Sequence, residues 1–424
     1  MSGDLDIVPC LEKYVIAFCS GSLSRVKESL SLFPNAISVK YGDSPTTLRD
    51  VMVILCQLER RYQNLIFLSP KKVFNRQESL YESFSCVHSM CEDLIHSHKG
   101  LRNDVLSAQI EALLEHIHHF CRLRCKLLSF FALITGCETM LCSAAKNVGS
   151  ALEDLYALRG PINCLESIIS PTEVEILAAA LKAQCQLGDL EFLNSILTLS
   201  SISCKLDQYY ARKDLVGVGS PPTPLCSWLR KLYSLLLAKF TLYWYSVLHS
   251  GATNPTDIQE AVIKENPAIV SQIEDFVSTN EGTTVSFFFD AYLQDFAYLG
   301  HSYVPPGAAE MYVKSSVAIP CIFTMPLAES NTLPVSDYAV IMRAVNSLLS
   351  VDSSSKPREI ISLHEAQLQK SFFVLKVELR VYMAIAVVDE TGEQSEKAHF
   401  RDLMCRLCDC IQMVDLCRSL QNPV

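Results

Sequence analysis

Four clusters in this chain have residue types that chemistry uses. Gly300-His301-Ser302-Tyr303-Val304 begins like the G-x-S-x-G elbow, whose strained turn presents a serine nucleophile between a strand and a helix. Val304 stands where the closing Gly belongs, and Pro305-Pro306-Gly307 follows where the helix belongs. The segment reads as a structured loop, with a hydrolase around His301 and Ser302 kept as an alternative. Glu115, His116, His118 and His119, with Cys121 and Cys125, are zinc-ligand types. On a helix Glu115 and His119 lie one turn apart, as do Cys121 and Cys125, but the two pairs differ in face and level. One tetrahedral site is hard to build from them, so they read as a solvated or partly buried helix face.

Cys405, Cys408, Cys410 and Cys417 also resemble a metal cluster. They lie within an unbroken helical period, without the chain reversal that brings sulfurs around one ion, and read as small apolar packing residues. Gly217-Val218-Gly219-Ser220 lacks both a Walker Lys and a third Rossmann Gly, and Pro221-Pro222 follows. It reads as linker. Asp389-Glu390-Thr391-Gly392 reads as a hairpin-type or strand-exit turn. No Ser, His and Asp, and no pair of carboxylates, can be brought together from the sequence. These motifs therefore give no convincing catalytic, cofactor-binding or metal residue, and no cofactor is expected.

The elements that would position any site are mostly helical. Trp228–Leu248 is the densest apolar run, and Trp228, Leu232, Leu235, Leu236, Phe240, Tyr243 and Val247 share one broad stripe. Its other faces are also apolar, which predicts a spine helix inside a bundle. A membrane span is the rival reading, but Lys239 at its middle would cost ~2.5–3.5 kcal/mol. Helical periods also run over about 11–33, 48–68, 78–97, 105–133, 140–158, 170–187 and 190–209, with short helices after Asn254-Pro255 and Asn266-Pro267. Ser170-Pro171-Thr172-Glu173 reads as a capped start with Glu173 at N3. Residues 211–224, rich in Pro and Gly, read as a linker.

After residue 280 the pattern changes. Thr283–Phe289 is β-branched and aromatic and reads as a strand. Val317–Met325 is a second strand, with Pro320 marking an edge or a bulge. Tyr338–Val345 reads as a third strand and Pro357–Lys370 as a helix. Ser371–Leu379 and Arg380–Val388 read as strands, and Ser395–Leu420 as a final helix. The expected fold class is α + α/β: an N-terminal multi-helix bundle over 1–280, with the 211–224 linker inside it, then a small α/β sheet domain over 281–424.

Composition narrows the functions. The chain has 424 residues, 49% hydrophobic and 19% charged, which supplies a substantial core. A net charge of -10 argues against a protein built to grip nucleic acid. The opening MSGDLDIVPC lacks a basic n-region, so no secretory or transit peptide is expected. The 18 Cys then read as reduced thiols of a cytoplasmic protein.

Four ordered pieces carry a family resemblance. Leu181-Lys182-Ala183-Gln184 leads to Glu191-Phe192-Leu193, and Leu225-Cys226-Ser227-Trp228-Leu229 leads to Lys231-Leu232. Leu235-Leu236-Leu237-Ala238-Lys239-Phe240 follows, and then Asn266-Pro267 leads to the phenylalanine strand ending at Asp290. With Gly300-His301-Ser302-Tyr303 and Pro305, these pieces resemble the KICSTOR complex subunit 2 family, as a divergent member. The resemblance implies a non-enzymatic scaffold or adaptor that recruits the GATOR GTPase-activating complex to lysosomes and restrains TOR kinase signalling on nutrient deprivation. It implies kaptin, an integrin-repeat propeller protein and a very large scaffold protein as partners, with peripheral lysosomal location through them. It carries over no catalytic residue and leaves the partner-binding residues unknown and a homodimer open. The C-terminal strand–helix pattern is similar to roadblock or longin modules, a fold-level likeness. An adaptor in membrane trafficking or ciliogenesis is the alternative.

Overall fold

In a computed structural model, residues 8–19, 23–31, 44–65, 79–98, 105–136, 171–189, 191–216, 223–290, 319–327, 333–350, 358–389 and 397–420 are described. The helices before the sheet are α1 (Val8–Cys19), α2 (Leu23–Ser31), α3 (Ser44–Gln63), α4 (Leu80–His98), α5 (Val105–Gly136), α6 (Pro171–Gly188) and α7 (Phe192–Val216). They continue with α8 (Pro224–Tyr243), α9 (Tyr245–Gly251), α10 (Pro255–Glu265) and α11 (Pro267–Thr279). The C-terminal part comprises β1 (Thr284–Phe289), β2 (Cys321–Met325), α12 (Val335–Ser350), β3 (Ile360–Glu365), β4 (Lys370–Lys376), β5 (Val381–Val388), α13 (Lys397–Ile411) and α14 (Val414–Ser419). The protein is thus mostly helical with a five-stranded antiparallel sheet near its C-terminal end, in the order β2-β1-β5-β4-β3. No described helix is long and apolar enough to cross a membrane. The expected helix over 140–158 lies outside the described residues, as do His301, Ser302 and Gly217–Ser220.

Contacts divide the chain into two compact units. The first holds Met1–Leu181, Ser201–Leu232 and Leu416–Val424; the second holds Lys182–Ser200 and Tyr233–Asp415. Helices α6, α7 and α8 each contribute residues to both. The boundary at 280 marks a change of composition from helix to strand formers, whereas this division follows contact.

Local chemistry explains several helix ends. Ser79 and Glu82 form a reciprocal cap at the start of α4: Glu82 N donates to Ser79 Oγ at 3.1 Å and Ser79 N donates to Glu82 Oε2 at 3.0 Å. Pro occupies the first turn of α10 and α11, where its missing N–H costs nothing. Helix α7 continues to Val216, into the stretch read as linker, because no Gly or Pro interrupts it before Gly217. The spine breaks at Trp244, with φ -101° and ψ 10°, into α8 and α9.

In the second unit the sheet is covered on both faces. Phe288, Phe372, Val374, Tyr382, Ala384 and Ala386 pack with Val340, Ile341, Ala344 and Val345 of α12. On the other face Phe373 stacks on Phe400 of α13 at 4.7 Å, and Phe323 meets Tyr245 of α9 at 5.4 Å. This is why β1, β4 and β5 read as continuous apolar runs rather than alternating ones. Pro320 precedes the edge strand β2, whose register against β1 shifts between Phe287 and Phe288.

Three expectations are corrected. Tyr338–Val345 is not a strand but part of α12, because its apolar residues Val340, Ile341, Ala344, Val345 and Leu348 recur at helical spacing. The described part of the expected 357–370 helix, residues 358–370, is not helical. Ile360–Glu365 forms the edge strand β3, and Leu368 N to Glu365 O at 3.1 Å closes the turn into β4. Pairing with β4 overrides local helix preference there. The last helix is two: Met413 adopts φ 57°, and Gln412 Nε2 donates to Val377 O at 2.6 Å, which fixes the break against the sheet.

Gly282 enters β1 with φ +74°, and an added Cβ would lie 2.7 Å from Val388 Cγ2. Gly282→Ala is expected to lower stability by about 1–3 kcal/mol, the cost of a non-glycine residue held left-handed, as read by denaturant unfolding.

Candidate functional site

Each unit holds a cluster of buried charged and polar side chains. In the first unit Arg124 of α5 is 3% exposed. Its Nε and Nη2 donate to the two carboxylate oxygens of Glu59 on α3 at 2.9 and 2.7 Å, a bidentate fork. Its Nη1 donates to Glu173 of α6 at 3.1 Å, and Tyr62 Oη donates to the other oxygen of Glu173 at 2.6 Å. The guanidinium lies over the Tyr62 ring at 4.2 Å and the Phe120 ring at 4.9 Å. Gln63 Nε2 adds a hydrogen bond to Glu59 at 2.8 Å. Glu173, read from sequence as a capping residue, thus serves as a fully buried counter-charge.

In the second unit Lys239 of α8, 3% exposed, pairs with Glu378 in the β4–β5 connection. Lys239 Nζ also donates to Gln184 Oε1 of α6 at 3.2 Å, Gln184 Nε2 donates to Glu378 at 3.2 Å, and Tyr243 Oη donates to Glu378 Oε2 at 2.8 Å. Each of these four side chains has at least one hydrogen-bond partner within the cluster. The same unit places Phe192 against Phe240 at 5.6 Å and Trp244 at 5.0 Å. Asn266 Nδ2 donates to Thr241 Oγ1 at 2.9 Å. Arg380 Nε donates to Asp290 O at 3.0 Å, and Asp290 N donates to Arg380 O at 2.8 Å. Gln184, Phe192, Lys239, Phe240, Asn266 and Asp290 are residues of the family-like pieces, and each of them makes one of these contacts within the second unit.

The sequence-level zinc set is dispersed. His116 is buried, with Nδ1 3.0 Å from Ala112 O in its own helix. His119 Nδ1 accepts from Arg122 at 3.2 Å. Burial pushes the Cys121 thiol well above the ordinary range and Cys125 to about 11. Among the described residues, His118 is the one member of that set in a potential ligand group, and its partners His88 and Glu92 come from α4. The C-terminal cysteines also diverge. Cys408 is buried and points at Val377 O, while Cys410 accepts from Gln272 Nε2 at 3.7 Å. Burial raises Cys408 to about 12 and Cys417 to about 11.

Comparison with known proteins decides the family. A family model described as "KICSTOR complex C12orf66 like" matches residues 35–422. The chain belongs to this KICSTOR family. Among its relatives, KICSTOR subunit 2 of Danio rerio is 24% identical over 369 residues, covering 81% of this chain and 80% of that protein. KICSTOR subunit 2 of Xenopus laevis is 21% identical over 398 residues, covering 88% and 87%. At such identities the KICSTOR match extends well beyond the short pieces that first suggested it.

Both clusters bury phenols whose ionisation is suppressed. Tyr62 and Tyr243 are held well above 10, first by burial and then by the neighbouring carboxylates Glu173 and Glu378. The folded state therefore keeps these protons where the unfolded chain releases them, so their stabilising contribution is complete below pH 10 and declines as pH rises beyond it. Tyr243→Phe is expected to make that alkaline decline shallower, as measured by denaturant midpoints from pH 9 upward.

Proposed function

We propose that this protein is a non-enzymatic scaffold subunit of a KICSTOR-type complex. In this reading it binds the other subunits (kaptin, the integrin-repeat propeller protein and the very large scaffold protein) and helps recruit GATOR to the lysosomal surface, restraining TOR signalling when nutrients are scarce. The observation that carries the reading is the family match over 35–422. The geometry supports it in two ways. The ion-pair clusters are closed by protein groups, which suits a rigid body. Helix α7 also exposes Leu193, Ile196 and Leu197, at 43%, 39% and 59%, on one face at i, i+3 and i+4 spacing.

Residues 281–424 would form the roadblock/longin-like module and 1–280 the helical body that carries the exposed α7 face. The order strand, strand, helix, three strands, two helices supports the roadblock/longin-like reading of the module. Ile196→Asp with Leu197→Asp is expected to leave thermal stability within about 1 kcal/mol, as exposed substitutions usually do. The same variant is expected to reduce capture of the other subunits. Cells depleted of the chain should keep TOR substrates phosphorylated under amino-acid starvation, and the wild-type chain should restore the decline. An unaltered starvation response in depleted cells would overturn the signalling role.

A further inference from the structure

The antiparallel-packed pair α4 and α5 brings together a set of ligand types that neither helix holds alone. His88 and Glu92 are one turn apart on α4 and share a face. His118 of α5 meets them: its Nε2 lies 3.2 Å from Glu92 Oε1. The donor atoms of all three lie within 4.8 Å of one another. The His88 and His118 rings stand 3.9 Å apart with planes at 30°. Glu92 has 51% and His118 17% of its side chain exposed, so an ion can enter directly from solvent.

We propose that His88, Glu92 and His118 form a zinc site that clamps α4 to α5 and leaves a fourth position for water or a donor from a partner. Two imidazoles and one carboxylate match the borderline preference of Zn2+; Mg2+ and Ca2+ prefer oxygen ligands. Bonds of about 2.0–2.2 Å place tetrahedral ligands roughly 3.3 Å apart. The His118–Glu92 separation already meets that spacing, and the His88 donor atom lies within 4.8 Å of both. The sequence offers no hint of this set, because His118 lies 26 positions from Glu92. It also stands among the other histidines of α5. This inference is independent of the adaptor reading.

Titration of the full-length, reduced chain with Zn2+ and with Co2+ tests it. The expected result is one tight equivalent that excess Mg2+ does not displace. Bound Co2+ should show visible d–d bands without the near-ultraviolet sulfur-to-cobalt charge transfer that the chain's thiols would produce. His88→Ala and His118→Ala should each weaken binding by about 100-fold or more, since even outer-shell partners carry about 10–100-fold. Glu92→Gln, which keeps shape and removes charge, guards against a variant that fails to fold. Unchanged affinity in all three variants, a sulfur charge-transfer band, or no binding at micromolar Zn2+ would each overturn the site.

Discussion

Arg124→Met is expected to destabilise the first unit by about 3–5 kcal/mol, the cost of breaking a buried ion pair from one side. The substitution leaves Glu59 and Glu173 facing each other across an apolar side chain, with Glu173 fully buried and Glu59 8% exposed. Tyr62 still donates to Glu173 and Gln63 still donates to Glu59, so each carboxylate keeps one hydrogen bond and loses its charge partner. Because the chain has two units, one unfolding midpoint would blur the effect. Hydrogen exchange localises it: protection should fall in α3, α5 and α6. Adding Glu59→Leu and Glu173→Gln to Arg124→Met should recover much of the loss, because the uncompensated charges go with it. Full protection in the single variant would mean that the cluster contributes little.

Glu378→Ala should have the next largest effect, again about 3–5 kcal/mol, in the second unit. The reason is asymmetry within the pair. The Lys239 side chain is 2% exposed, whereas that of Glu378 is 15% exposed. Without Glu378 the ammonium keeps Gln184 Oε1 as a hydrogen-bond acceptor but has lost its counter-charge. Lys239→Met is the milder change, because Glu378 retains Tyr243 and Gln184 as donors and borders solvent. The double variant Lys239→Met/Glu378→Leu should be more stable than Glu378→Ala, with the coupling read from a double-mutant cycle. Equal costs for the two single changes would contradict this account of the pair.

The fold was legible where periods are long or punctuation is strong. The apolar repeat of 105–133 corresponds to α5, and the Asn-Pro pairs mark the starts of α10 and α11. The aromatic run at 284–289 is β1, an interior strand between β2 and the central β5. Short windows failed. Residues 338–345, with the β-branched Val340, Ile341 and Val345, carry both a strand and a helical reading until the window is widened to α12. Residues 360–365 become a strand through partners on β4 that the local sequence does not reveal. The clusters were illegible for a related reason. Arg124 lies 65 positions from Glu59 and 49 from Glu173, and an Arg within an amphipathic helix is ordinarily a surface residue. Lys239 was visible only as an objection to a membrane span, and its partner Glu378 is 139 positions away.

The central claim is that this chain works by holding KICSTOR-type partners. Affinity purification of the tagged full-length chain from fed and amino-acid-starved cells, followed by mass spectrometry, tests it most directly. The account predicts co-purification of the other KICSTOR subunits in both states, with loss of those subunits in the Ile196→Asp/Leu197→Asp variant. Absence of every such subunit from the wild-type chain in both states would contradict it.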